Sequence, residues 1–208
     1  MAARSTIGII DYDAGNLRSL CNALEAISAD VRLVRHIDDL RPCTHAILPG
    51  VGAFGHCIER LRSSRMVDGL ADWILHEHRP LLGICVGMQM LADVGEEHGE
   101  TPGLGWIPGR VRRLPASRAT RVPHVGWNDV RFRPPCGSLG ADFYFDHSYR
   151  FCPADESHSL GTTTHGTEFC AAVRKGSVVG VQFHPEKSQD AGLRFLRWFI
   201  ESGPHARC

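Results

Sequence analysis

Strand-like and helix-like patterns alternate through residues 6–93, and that alternation leaves few folds open. TIGIID (6–11) reads as a strand, and residues 16–28 carry Leu17, Leu20, Cys21, Leu24 and Ile27 at helical spacing. VRLVRH (31–36) and HAILPG (45–50) read as further strands, followed by helical patterns near 54–63 and 66–78. PLLGI (80–84) is a buried strand bounded by Pro80 and Gly83, and a helix begins over 86–93. Strands joined through helices run parallel, and a parallel sheet needs cover on both faces.

The second half changes character. RVRRL (110–114), HVGWNDVRF (124–132), ADFYFDHSYRF (141–151), SLGTTT (159–164), EFCAAVRK (168–175) and SVVGVQF (177–183) are strand-like, with Gly, Pro and Ser between them. A closing helix over 190–202 carries Leu193, Leu196, Phe199 and Ile200. No linker, repeat or low-complexity tract interrupts the pattern. The chain is therefore read as one α/β domain over 1–208. Its central sheet is mostly parallel and flanked by helices, with antiparallel strands added in the second half.

The formal net charge is zero, which argues against nucleic acid or an anionic membrane as partner. Arg110, Arg112, Arg113, Arg118 and Arg121 form a local basic stretch, either a solvated face or a contact for a partner or anion. The N-terminus lacks a signal-peptide apolar region, and no apolar run approaches the roughly 20 residues of a membrane helix. The eight cysteines (Cys21, Cys43, Cys57, Cys85, Cys136, Cys152, Cys170 and Cys208) include no CxxC pair. A disulfide framework is not expected, and most thiols are read as small buried hydrophobes in a reducing cytoplasm. Twelve histidines invite a metal reading, but His76 and His78 stand two apart on a helix pattern and no ligand spacing appears. No metal is expected.

One cysteine has a distinctive setting. GICVG (83–87) has the G-x-S-x-G form of a nucleophile elbow, with sulfur in place of oxygen. A sharp turn from strand to helix would lift Cys85 above the carboxyl end of the sheet, with Gly83 and Gly87 sparing the neighbouring backbone. The helix N-terminus behind it favours the thiolate. The pentapeptide alone fits equally well a buried cysteine at a tight junction. A thiolate nucleophile needs a base oriented by a third group. GVQFHPEKS (180–188) supplies a candidate in His184, with Glu186 two residues on to hold its other ring nitrogen. Taken alone, HPE also fits a solvated turn. Acyl transfer further needs N–H donors for an oxyanion. In LPGVGAF (48–54), Gly50 and Gly52 allow amides to face a ligand, although an ordinary β-turn has the same composition.

PGVGAF, GICVGMQML and GVQFHPEKS together resemble class I (triad-type) glutamine amidotransferase domains. IIDYDAGNLRSL (9–20), RVPHVGWND (121–129) and YFDHSY (144–149) extend the resemblance over nearly the whole chain to the glutaminase subunits of imidazole glycerol phosphate synthases. The resemblance implies that Cys85 attacks the amide of L-glutamine to form a γ-glutamyl thioester, that His184 relays protons, and that Glu186 orients His184. It implies an oxyanion hole from the N–H of Val86 and one from the Gly50–Val51–Gly52 turn. Gln89 and the His147–Ser148–Tyr149 segment would hold the substrate. The partner would be a (β/α)8-barrel cyclase subunit that receives the ammonia, with Asn16, Trp127, Asn128, Tyr144 and Lys187 near that interface. By composition alone, Trp127 in a strand is a core residue. No cofactor is implied. Asp146 stands where the family has an apolar residue, often valine, and Val86 where leucine is commoner.

Other readings start from the same motifs. A paralogous subunit would supply ammonia to a surface-polysaccharide sugar, a reading kept open by TPGLGWIPGRVRRLP (101–115) and Asp146. The GNLRS and PHVGWN segments count against a glutaminase of the pyridoxal-phosphate or anthranilate systems. A cysteine hydrolase on a related fold would lack Gln89 and HPEKS, and a non-enzymatic subunit would not keep all three triad residues.

Overall fold

Ile7, Ile9 and Ile10 are buried on both sides of one strand, as a central position in a covered sheet demands. That strand is β1 (Thr6–Ile10) in a computed structural model that describes residues 5–117, 120–134 and 136–202. Arg118 and Cys208 lie outside the described residues. The chain continues through α1 (Leu17–Ala26), β2 (Asp30–Val34), β3 (His45–Leu48), α2 (Phe54–Ser63), α3 (Val67–Ala71), β4 (Leu81–Ile84) and α4 (Val86–Gln89). Two short strands follow, β5 (Val94–Gly95) and β6 (Thr101–Pro102), then β7 (Gly109–Arg113), β8 (His124–Phe132), β9 (Ala141–His147) and β10 (Tyr149–Pro153). The last elements are β11 (Ser159–His165), β12 (Thr167–Lys175), β13 (Val178–Val181) and α5 (Gln189–Ser202).

The sheet runs β2-β1-β3-β4-β13-β12-β10-β7-β5-β6. The first five strands are mutually parallel, and β12, β10 and β7 then pair antiparallel, so the fold is α/β as expected. Strand order reverses beside β1, which leads to β2 on one side while β3 and β4 extend on the other. Right-handed crossovers then put α1 on one face and α2–α3 on the other, with α5 packed beside α1. Ligands of such sheets bind at the carboxyl ends of the strands next to the reversal. A second layer, β8 and β9, joins through β11. Among the described residues no helix is long and apolar enough to cross a membrane.

Three local expectations differ from the structure, and two short strands were not foreseen. The helix over 86–93 is a single turn, because the carbonyls of Met90, Leu91 and Ala92 turn aside to accept from Leu104, Ile107 and Gly105. The helical pattern over 66–78 is broken into α3 and a π-turn at Asp72–His76. The run 141–151 is two strands, not one: β9 pairs β8, while β10 crosses to β7 and β12. The break falls at Ser148, whose carbonyl accepts from Leu114 N–H. Strands β5 and β6, at two residues each, carry no readable period. Arg110 and Arg112 both pair with Glu96, and Arg110 also with Glu100, so this part of the basic stretch is neutralised within the chain. Six of the described cysteines are free thiols, and Cys136 is disulfide-bonded.

Aromatic packing fastens the second layer to the first. Phe143 of β9 stacks on Phe183 with ring centroids 4.0 Å apart, and Phe195 of α5 closes on Phe183 at 5.4 Å. All three rings are buried. Phe195→Ala should therefore lower unfolding stability by about 3–5 kcal/mol in urea titration. Leu33→Ala, on the edge strand and 41% exposed, should change it by less than about 0.5 kcal/mol.

Candidate active site

Three strand ends converge because of register. Leu48 of β3 lies level with Gly83 of β4, and Ile84 lies level with Val181 of β13. The residues that follow each end are the Pro49–Gly52 turn, Cys85, and Gln182–Phe183–His184. Cys85 N–H donates to Val181 C=O at 2.8 Å, which locks the elbow to β13.

Cys85 has φ 53° and ψ −111°, a strained conformation for a residue with a Cβ. The strain persists because backbone packs directly on backbone around it. A Cβ on Gly87 would overlap the Leu48 carbonyl oxygen, and one on Gly83 would lie 2.8 Å from the Gly87 carbonyl oxygen. A Cβ on Gly50 would lie 2.6 Å from the Gly87 nitrogen. The elbow and the Pro49–Gly52 turn are thus in contact through atoms that no side chain can separate.

His184 is held from three directions. Its N–H donates to Tyr144 C=O at 2.9 Å, and its carbonyl accepts from Ser188 Oγ at 2.6 Å. Ser188 Oγ also accepts from Tyr144 N–H at 3.0 Å, so the HPE turn is tied to β9. The ring Nδ1 bonds Glu186 Oε1 at 2.8 Å, with both side chains buried. Burial alone would lower the His184 pKa. The bonds to Cys85 and Glu186, with their charges, outweigh it and raise the value from 6.5 to about 10. This setting, between a carboxylate and the Cys85 sulfur, favours the imidazolium form of His184.

A cleft of about 330 Å³ opens above this group. Of the residues singled out from sequence, Val51, Gly52, Cys85, Val86, Gln89, His147, Ser148, Tyr149, His184 and Lys187 line it. Gly50, Asn16 and Glu186 border a smaller cavity behind it. Asn16 also caps α1, its Oδ1 accepting from Ser19 N–H at 3.5 Å. Trp127 and Asn128 stand apart from the cleft on β8. Trp127 is 50% exposed and so is not the core residue its strand setting suggests. Its ring meets Tyr144 edge-on at 6.1 Å, and the Lys187 ammonium lies 5.6 Å from the Tyr144 centroid. Lys187, Tyr144 and Trp127 thereby form one line from the cleft to the β8 surface.

Residues 8–201 match the family described as glutamine amidotransferase class-I. The chain belongs to that family. This amidotransferase is 46% identical to the "Imidazole glycerol phosphate synthase subunit HisH" of Zymomonas mobilis, over 97% of the chain and 98% of the relative. It is 44% identical to the subunit of the same name from Rhodospirillum rubrum, over 92% and 98%. The "Imidazole glycerol phosphate synthase hisHF, chloroplastic" of Arabidopsis thaliana is 41% identical over 94% of this chain but only 34% of its own length. A solved structure titled "Crystal structure of glutamine amidotransferase" superposes with a TM-score of 0.75 at 23% identity, covering 94% of this chain and 97% of that one. "Structure of PurLQS from Thermotoga maritima" superposes with 0.74 at 18% identity, over 96% and 99%. These superpositions show the shared fold.

Four residues of this amidotransferase site escaped the sequence reading. Glu97 lines the cleft, and its Oε2 accepts from Phe54 N–H at 2.6 Å. The acidic pair after the elbow helix, Glu96–Glu97, was the available signal. Gln182 is fully buried, donates to Cys85 Sγ at 3.7 Å and accepts from Gln89 Nε2 at 3.0 Å. Its place two before His184 was visible, but its partners were not. Tyr12 donates to Pro49 C=O at 2.6 Å, and Cys57 Sγ donates to Val51 C=O at 3.3 Å. Neither has a sequence signal, since both act across the fold.

The raised pKa of His184 has a measurable consequence. Stability drawn from its imidazolium is fully present below the unfolded value near 6.5 and is lost as pH rises through about 10. NMR titration of His184 should show a midpoint far above 6.5, and Glu186→Gln should lower it by removing a charge that favours the imidazolium. A wild-type midpoint at or below 6.5 would contradict the arrangement described.

Proposed function

We propose that the chain is the glutaminase subunit of an imidazole glycerol phosphate synthase, acting in histidine biosynthesis in the cytoplasm. It hydrolyses L-glutamine to glutamate and ammonia and passes the ammonia to a (β/α)8-barrel cyclase subunit. The carrying observation is the buried Glu186–His184 pair beside Cys85 at the floor of a cleft sized for an amino acid. The identities of 46% and 44% to subunits named HisH favour this acceptor over a surface-polysaccharide sugar.

In this reading the Cys85 thiolate attacks the side-chain carbonyl carbon of glutamine. The oxygen takes up negative charge and is held by the N–H of Val86 and one from the Gly50–Val51–Gly52 turn. The C–N bond then breaks, and the leaving nitrogen takes the His184 proton and departs as ammonia. Water attacks the resulting thioester while His184 accepts its proton, and the C–S bond breaks to release glutamate. Glu186 keeps Nδ1 protonated throughout, so that the other nitrogen does the transfer. Glu97 offers a carboxylate to the α-ammonium group of glutamine, and Gln89 with His147, Ser148 and Tyr149 form the opposite wall.

The docking face is proposed on β8 and its surroundings, with Trp127, Asn128, Tyr144, Lys187 and Asn16. Val125 and Trp127, 55% and 50% exposed, give that face an apolar centre. The hisHF relative, in which the matching region is about a third of the chain, fits a unit that works attached to another. Gating belongs to the same proposal. Tyr12 and Cys57 pin the carbonyls of Pro49 and Val51, and the peptide between Gly50 and Val51 lies unpinned between them. Gly50 and Gly52 make a rotation of that peptide inexpensive. A missing oxyanion donor lowers kcat by roughly 10²–10³. Docking would favour the orientation that completes the hole.

Three measurements test this. A diazo-ketone glutamine analogue should label Cys85 alone among the eight cysteines, as read by mass spectrometry. Cys85→Ser should lower glutaminase turnover by more than about 10³-fold and leave ammonia-dependent synthesis by the partner intact. Glutaminase rate should also rise steeply from the chain alone, to the complex, to the complex with nucleotide ligand. Adduct formation on another cysteine would overturn the nucleophile, and equal rates in all three states would overturn the gating.

A further inference from the structure

Outside the triad, two buried histidines link the β8 face to the cleft. His147 Nδ1 lies 2.7 Å from Tyr149 C=O, and its Nε2 lies 3.0 Å from His124 Nδ1. His124 Nε2 lies 3.2 Å from Asn128 Nδ2. The direction of these bonds follows from their ends. A carbonyl only accepts, so His147 carries its proton on Nδ1. A neutral His147 then accepts at Nε2, and His124 must donate from Nδ1 and accept at Nε2. The far end demands the same order independently. Asn128 Oδ1 accepts from Asp129 N–H at 3.0 Å and its Nδ2 donates to Thr164 C=O at 2.9 Å, so its amino group faces His124.

We propose that Asn128, His124 and His147 form a one-way hydrogen-bond relay that couples the β8 face to the glutamine cleft, with both imidazoles held as the Nδ1–H tautomer. This rests on the proposed docking at β8 and names the positioning residue behind it, His124. The relay does not stop at Tyr149. Its carbonyl also accepts from Gln89 Nε2 at 3.1 Å, Gln89 bonds Gln182 at 3.0 Å, and Gln182 reaches Cys85 Sγ at 3.7 Å. Asn128 shares the inner face of β8 with His124 and follows Trp127 of the outer face, so a shift of the β8 backbone under a docked partner is passed by direct bonds to the groups around the sulfur. Burial supports neutral rings, pushing His147 down to about 3 and His124 to about 4, and the nearby His165 and His184 act in the same direction on His147. His124 is clamped between Phe145, stacked at 4.6 Å, and His165, stacked at 4.1 Å, so its ring has little freedom to turn.

The test has one arm that needs no partner. Long-range proton–nitrogen NMR of the wild-type chain at neutral pH should show His124 and His147 neutral and protonated at Nδ1, the minority form in solution. An Nε2–H tautomer or an imidazolium at either residue overturns the relay. The second arm uses the complex with the barrel subunit. His124→Phe preserves the stacking but removes both bonds, and should cut the activation of glutaminase by loaded partner roughly 2- to 10-fold. The rate of the chain alone and the partner Kd should hold. His124→Asn keeps a donor at the Nδ1 position and should recover part of the lost activation. Unchanged activation in His124→Phe overturns the coupling even where the tautomers are as stated. Failure of the wild-type chain to bind a barrel subunit would instead sink the proposed function and with it the coupling, while the tautomer assignment is decided by the first arm alone.

Discussion

The site depends on backbone meeting backbone at the ends of β3 and β4. Gly87 is pressed against the Leu48 carbonyl and Gly50 against the Gly87 nitrogen, with no room for a Cβ on either. That contact fixes the distance between the cysteine elbow and the Pro49–Gly52 turn more tightly than side-chain packing can, because nothing in it has a rotamer. It also explains how Cys85 stays at φ 53°. The strain of one residue is held by a close fit on three sides, including the Cys85 N–H bond to Val181. Tyr12 and Cys57 then fasten the turn from behind, so the same few ångströms contain both the stiffest and the most adjustable peptides of the site.

Histidine is sorted by environment into two opposite states. His184, His147 and His124 are all buried, and burial pushes each toward neutrality. Only His184 has a carboxylate and a sulfur to compensate, and only it is raised. His147 and His124 have carbonyl, amide and imidazole partners, which bond neutral rings without rewarding charge. One imidazole is thereby suited to moving protons and two to holding them still, within a single β-layer and the turn tied to it.

Much of this was legible in the sequence, for physical reasons. The parallel strands show as continuous apolar runs because both faces of β1, β3, β4 and β13 are covered. The elbow shows because Gly83 and Gly87 are forced by neighbours, and the HPE turn because Pro185 opens its short helical turn. Sequence reading brought Cys85, His184 and Glu186 to notice, and the fold sets them side by side. What did not show depends on distant partners. The break at Ser148 is decided by which strands lie next to β9 and β10, not by any turn residue. The brevity of α4 comes from carbonyls recruited by the 104–107 loop. Glu97, Gln182 and the histidine relay are ordinary polar residues until their cross-chain partners are known. Composition alone would have buried Trp127, because strand composition says nothing about which face of a hairpin is left open, whereas the resemblance had set it at a surface.

The sheet order carries a further consequence for how the protein comes into being. Strand β13 inserts beside β4, in the middle of the sheet, although nearly a hundred residues separate them; the Gln182–Cys85 contact spans 97 positions. The elbow emerges from the ribosome long before the strand that completes its surroundings. Until β13 docks, β4 is a bare edge of apolar residues, the kind of surface that invites pairing with the wrong chain. A nascent chain cut before β13 therefore holds its cysteine without its histidine, and a segment made late, with only the HPE turn and α5 among the described elements after it, closes the sheet and brings the base to the sulfur.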